Sequence, residues 1–203
     1  MKKIISLFLL TSIYYTAYSQ ILAGASIGTF NIPGAADKFK GIGPTIKVEY
    51  SMSGETSAYL DASLYNKQET KGTTTITDAD GALIGEADTK ARYSIKHVQL
   101  GLKRLFGRGF DEKGFSFFLG GGAAASFVKT TFKYTLQGNN IPDSKYNDII
   151  FGFHFNTGFQ YNFNFVILEL KANFDIMTKP LVSGDSYIMS ASRIGILIPL
   201  TKE

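Results

Sequence analysis

The chain has no cysteine, no tryptophan, only five prolines in 203 residues, and no apolar run long enough for a spanning helix. Without cysteine, neither disulfides nor thiolate metal sites can hold the fold, and a lipoprotein anchor is excluded. A helix crossing a bilayer needs about 20 consecutive apolar residues. The best candidate, Ile4 to Ile13, is interrupted by Ser6, Thr11 and Ser12. Stretches of helical period are scarce after residue 20. Charge is sparse and mixed in sign: the formal +4 falls to about +2 without Lys2 and Lys3, and no clustered basic face is evident for nucleic acid.

Residues 1–19 instead read as a secretory signal. Lys2 and Lys3 form its charged start, Ile4 to Ile13 its apolar stretch, and Ala17-Tyr18-Ser19 supplies small residues at both cleavage positions. Cleavage is expected near Ser19/Gln20, leaving residues 20–203 as one barrel domain in the cell envelope.

What replaces the helical period is a period of two, the mark of strands with unlike faces. Ile42, Pro44, Ile46, Val48, Tyr50 and Met52 alternate with Gly43, Thr45, Lys47, Glu49 and Ser51. Val166, Leu168, Leu170, Ala172, Phe174 and Ile176 alternate with Ile167, Glu169, Lys171, Asn173 and Asp175. Eight such segments of about ten residues are found, a length that crosses a bilayer at a tilt. The connections run roughly 11, 4, 25, 8, 20, 3 and 9 residues, alternately long and short. The predicted fold is an all-β, eight-stranded antiparallel up-and-down transmembrane β-barrel, with the long loops, near 31–41, 66–90, 129–148 and 178–186, outside the cell. The third can itself form a projecting hairpin, because Thr73 to Thr77 and Ala82 to Glu86 flank the turn-forming Asp78-Ala79-Asp80-Gly81.

Alternation alone does not say which face looks outward. The polar faces decide it, because they are rich in small residues: Gly24, Ser26 and Gly28; Gly120, Gly122, Ala124 and Ser126; Gly152 and Gly158. Eight strands leave an interior only wide enough for side chains to fill. The charges on these faces, Lys47, Glu49, Asp61, Lys103, Glu169, Lys171, Asp175 and Arg193, come in both signs and can pair inside. Lys47, Glu49, Asp61, Glu169, Lys171 and Arg193 are expected to form structural ion pairs in a filled lumen. Tyr50, Phe106, Phe110, Phe115, Tyr161, Phe163 and Phe165 are expected to form an aromatic girdle near the short turns, and Phe30, Phe127, Phe132, Tyr134 and Phe151 the outer one.

The stretch Val98-Gln99-Leu100-Gly101-Leu102-Lys103, the Gly-rich strand after it and the closing Ser192-Arg193-Ile194-Gly195-Ile196-Leu197-Ile198-Pro199-Leu200 carry a resemblance. With the signal before Gln20, they make the mature chain resemble the eight-stranded outer-membrane β-barrel domain family common in Bacteroidetes, often labelled porin-like. The resemblance implies the outer membrane, lipid and lipopolysaccharide as surroundings, and assembly by the outer-membrane machinery. Such barrels usually finish on an aromatic residue, whereas this last strand ends at Leu200 before Thr201-Lys202-Glu203.

No catalytic residue, cofactor or metal site is expected. His154 lies on a polar face and would be the base of a lipid-modifying barrel enzyme, but Asn156 stands where that reading needs a serine. His97 has no partner identifiable in sequence. Asp78, Asp80, Glu86 and Asp88 lack the spacing of a calcium loop, and nearby Lys67, Lys71, Lys90 and Arg92 balance them. Gly120-Gly121-Gly122 lacks the Lys-Ser/Thr of a phosphate loop. The expected role is a non-enzymatic barrel that supports the envelope or presents loops to a protein partner. A lipid-modifying enzyme and a soluble barrel binding an apolar ligand are the alternatives.

Overall fold

The computed structural model describes residues 20–33, 39–77, 80–81, 83–136, 139–181 and 187–200; the expected signal segment, 1–19, lies outside the described residues. Eight strands follow one another: β1 (Gln20–Ile32), β2 (Phe39–Ser51), β3 (Thr56–Thr77), β4 (Leu83–Gly107), β5 (Gly114–Leu136), β6 (Asn139–Asn162), β7 (Ile167–Met177) and β8 (Ile188–Pro199). Each pairs antiparallel with the next, and β8 returns to β1 from Leu22↔Pro199 to Asn31↔Ser190. The ring leaves no sheet edge over its closed height, so every strand there finds backbone partners on both sides.

The apolar alternates face outward. Ile46, Val48, Leu60, Leu100, Leu102, Phe153, Phe155, Leu170, Phe174 and Ile194 are all exposed, while Lys47, Glu49, Asp61, Lys103, Glu169, Lys171, Asp175 and Arg193 are buried. This inverts a water-soluble protein, whose buried charges are rare. The small inner residues explain how the interior closes. A Cβ on Gly101 would stand 2.5 Å from the carbonyl oxygen of Gly121 and 2.7 Å from the hydroxyl of Tyr59.

Inside, the barrel is stacked in three zones. Leu22, Leu105, Phe110, Phe118, Ile167 and Leu197 form an apolar cluster toward the short turns. A larger cluster, including Phe30, Tyr65, Tyr93, Ile95, Ile150, Leu181 and Met189, fills the opposite end. The polar residues lie between. Phe110 and Phe30 therefore do not belong to the expected girdles: each is 2% exposed or less and plugs one end of the lumen.

The greatest departure from the sequence reading concerns length. β7 has 11 residues and β8 12, but β3 to β6 have 22 to 25 each. Residues 66–77, 83–90, 129–136 and 139–148 are strand, not loop. β3 and β4 pair on to Thr77↔Leu83, β4 and β5 to Asp88↔Thr135, and β5 and β6 to Leu136↔Asn139. A four-stranded sheet thus rises from one side of the barrel, by on the order of 30–40 Å of strand. The projecting hairpin expected around Asp78 to Gly81 is its first half. Pairing of β2 with β3 ends at Thr45↔Ser63, and of β7 with β6 at Gly152↔Met177, so the sheet has two free edges among the described residues.

Candidate functional site

Four cations and four carboxylates are buried in the middle zone, so the interior is charge-balanced. Strand alternation points them inward; ring closure then brings residues far apart in sequence together. Lys47 donates to both oxygens of Glu169 at 2.9 and 2.7 Å, and lies 2.9 Å from Glu49. Lys103 bridges the same two acids, 2.8 Å from Glu49 and 3.0 Å from Glu169, and its third proton goes to Gln160 at 3.0 Å. One step nearer the projecting sheet, Lys171 donates to Asp61 at 2.6 Å, with Arg193 3.4 Å from the same oxygen. Arg193 also donates to the Tyr65 hydroxyl at 2.7 Å. All six side chains singled out for ion pairing thus sit in two clusters; Lys103 joins the first, and Asp175 reaches the second through Gln99, which donates to it at 2.6 Å and accepts from Arg193 at 3.4 Å.

The aromatic rings in this zone face cations. Lys171 lies 4.6 Å from the centroid of Tyr59, and Lys103 lies 4.8 Å from that of Phe118. Between the charges lies a cavity of about 10 Å³, lined by Lys47, Asp61, Glu169, Lys171 and Arg193. That is room for about one water.

Both histidines are held in this network. His154 Nδ1 lies 3.1 Å from the carbonyl oxygen of Ala123, which can only accept, so Nδ1 carries the proton. Nε2 then accepts from the Tyr59 hydroxyl at 2.5 Å, and Asn156 donates to that hydroxyl. His97 has partners that sequence did not reveal: Nε2 donates to Asp175 at 3.1 Å, and Nδ1 accepts from Ser126 at 2.8 Å. Ser126, His97 and Asp175 thereby form the connectivity of a hydrolytic triad. All three are 0% exposed, so no substrate can reach the serine. Their bonds tie β4, β5 and β7 together.

The acidic and basic residues of the expected third loop divide differently. Asp78 and the Lys67 side chain lie outside the described residues. Lys90 lies 2.5 Å from Glu69, and Arg92 donates to Glu69 at 2.8 Å through Nε. These hydrogen bonds, that of Lys90 first, hold the Glu69 carboxyl down at about 2. Glu69 gave no signal in sequence, because its partners stand on the neighbouring strand. Among the described residues no group of acidic and histidine side chains is arranged to hold a metal ion.

The register also aligns cations on the outward side of the projecting sheet. Lys71 pairs with Lys90, and Lys90 with Lys133, so three lysines cross three strands in one row. Arg92, Lys129 and Lys145 share that side; Lys133 lies 3.8 Å from Asp143.

No family model matches the chain, and no curated protein matches it. Among solved structures it is similar to Neisserial surface protein A, at 14% identity over 89% of this chain and 96% of that one, with a TM-score of 0.49. It is likewise similar to Ail, the attachment invasion locus protein of Yersinia pestis, at 12% identity over 90% and 97%, TM-score 0.49. The outer membrane protein OprG from Pseudomonas aeruginosa is similar at 12% identity over 91% and 97%, TM-score 0.47.

Proposed function

We propose that this chain is a non-enzymatic outer-membrane barrel, exported by a signal cleaved near Ser19/Gln20, that presents a projecting sheet at the cell exterior for interaction. The carrying observation is the inverted burial: a largely apolar exterior around a charged interior. An exterior of this kind in water would expose far more contiguous apolar surface than soluble proteins carry. In lipid it is the favourable arrangement, since a Lys or Arg on that face at mid-bilayer costs about 2–4 kcal/mol. The inversion also argues against a soluble carrier of apolar ligands, whose inner face would be apolar throughout.

Kinship with the porin-like Bacteroidetes family is part of this proposal and rests on residues 98–103 and 192–200. The name porin does not extend to conduction here. Apolar plugs close both ends of a charge zone with room for about one water, and open aqueous channels need about 16–18 strands. The lipid-modifying alternative is disfavoured because His154 is committed on both ring nitrogens and Asn156 offers no nucleophile.

The short turns would then face the periplasm and the sheet would stand outside. It offers partners two free strand edges and a basic face. The β6 edge carries Pro142, Asp143 and Lys145, which discourage strand addition, whereas β3 from Glu69 to Thr77 is Thr-rich and has no proline. A protein partner would be expected on β3, and lipopolysaccharide phosphates on the lysine row. The test is fractionation with gel mobility. Recovery in outer membranes, with folded and boiled forms migrating differently, is the expected result; recovery as a soluble periplasmic protein would overturn the proposal.

A further inference from the structure

The inner side of the projecting sheet differs from its basic outer side. Register places Thr70 to Ile76, Ala87 to Tyr93, Val128 to Tyr134 and Ser144 to Ile150 so that alternate residues face inward. None of those inward residues is Lys or Arg, and Asp148 is the only charged one. At the foot of this face, where the β7–β8 connection folds over it at Pro180 and Leu181, lies a cavity of about 220 Å³. A single water needs roughly 10–15 Å³, so the space suits a small solute better than isolated solvent.

Its chemistry is specific. The floor is made by Tyr93, Val128, Ile150 and Leu181, all nearly fully buried in the apolar cluster that seals the lumen. Phe132 and Tyr146 form a wall, their rings edge to face with centroids 5.8 Å apart. Asp148 stands on the rim beside Tyr146. Its Oδ1 accepts the backbone N–H of Ile149 at 2.9 Å, and no cationic side chain pairs with it among the described residues. An apolar floor, aromatic faces and one carboxylate without a counter-ion together select a cation with an apolar body. The ring quadrupoles and the carboxylate attract the charge, and the floor buries the remainder.

We propose that this cavity binds a small amphiphilic monocation, an ammonium group carrying an aromatic or short aliphatic body. The site goes beyond the membrane reading and depends only on the fold at the end opposite the short turns. The charged head lies between Tyr146, Phe132 and Asp148, and the body rests on Ile150 and Leu181. Six lysines and arginines on the opposite side of the sheet do not compete, because the sheet separates them from the cavity.

The experiment is equilibrium dialysis of the mature chain in lipid nanodiscs, with empty nanodiscs as blank. The probes are benzyltrimethylammonium, the anion α-toluenesulfonate and neutral benzyl alcohol, all of similar girth. Saturable binding of the cation alone is expected. Asp148→Asn, at an exposed position, should weaken it about tenfold, and Phe132→Leu should weaken it with the sheet intact. Equal uptake of the three probes, absence of saturable uptake, or unchanged affinity in Asp148→Asn would each overturn the proposal. Heat-dependent gel mobility of the same samples reports the barrel separately, so loss of binding in a folded barrel is distinguishable from failure of the membrane reading.

Discussion

The hydroxyl of Tyr59 on β3 lies 2.5 Å from Nε2 of His154 on β6, joining opposite walls of the barrel through the middle of its lumen. Gly101 makes the contact possible, because a Cβ there would stand 2.7 Å from that hydroxyl and 2.9 Å from that nitrogen. The bond therefore depends on a third strand that contributes no side chain.

Tyr59→Phe removes the hydroxyl that His154 and Asn156 both use, while keeping the ring beneath Lys171. Two buried polar groups lose a partner, which should cost about 1–3 kcal/mol. Urea unfolding of the protein in lipid vesicles measures it. Tyr59→Leu should cost more, since it also removes the cation–aromatic contact; equal midpoints for wild type and Tyr59→Phe would refute the assignment.

Asp61 is the carboxylate shared by Lys171 and Arg193. Asp61→Asn puts a neutral side chain in place of the carboxylate that Lys171 and Arg193 share, and breaking such a buried pair costs about 3–5 kcal/mol. The double variant Asp61→Asn, Lys171→Met should regain part of that loss, because the uncompensated charge goes with the lysine. The same unfolding measurement tests both, and an additive double variant would show that the two side chains do not act together.

The ring of strands was legible because, over its closed height, one face is apolar and the other polar, so each residue type reports its side. The projecting sheet was not. From Glu69 to Thr77 the period of two fades and the β-branched threonines are the main strand signal, while from Lys129 to Tyr134 the inward Phe132 and Tyr134 make too short an alternation to mark a strand. In the lumen, the inward charges could be read one strand at a time, but their pairing could not. His97 meets Asp175 from 78 positions away, and only ring closure brings β4 and β7 into reach. Phe30 and Phe110 misled because an aromatic residue near a strand end suits a lipid interface and a lumen plug equally well.

Glu69 should make the projecting hairpin acid-sensitive. Its carboxyl, held by Lys90 and then Arg92, titrates at about 2, below the ordinary value of 4.5. Its contribution is thus complete above the ordinary value and is lost as pH falls through about 2. Protection of the backbone amides near Glu69, read by mass spectrometry as exchange relative to an unstructured peptide at the same pH, should fall over that acid range in wild type. Glu69→Gln should show the lowered protection at neutral pH and lose the acid dependence. Identical exchange in the two proteins at pH 7 would remove the ion pairs as a cause.

The row Lys71, Lys90 and Lys133 places like charges on successive strands about 4.8 Å apart, and like charges so opposed destabilise a sheet. Glu69 answers Lys90 directly, but among the described residues Lys71 has no such partner and Lys133 only a distant one in Asp143. Replacing Lys71 and Lys133 by threonine should leave the sheet as stable or more stable, by about 0.2–1 kcal/mol for each relieved pair. If the row exists to receive anionic groups, the same change must weaken binding of purified lipopolysaccharide and flatten its salt dependence, because fewer counter-ions are exchanged. Stability and binding then move in opposite directions. A variant that loses both, or neither, would mean that the lysines serve the fold or nothing measurable, and that the partner of this face must be sought on the free edge of β3.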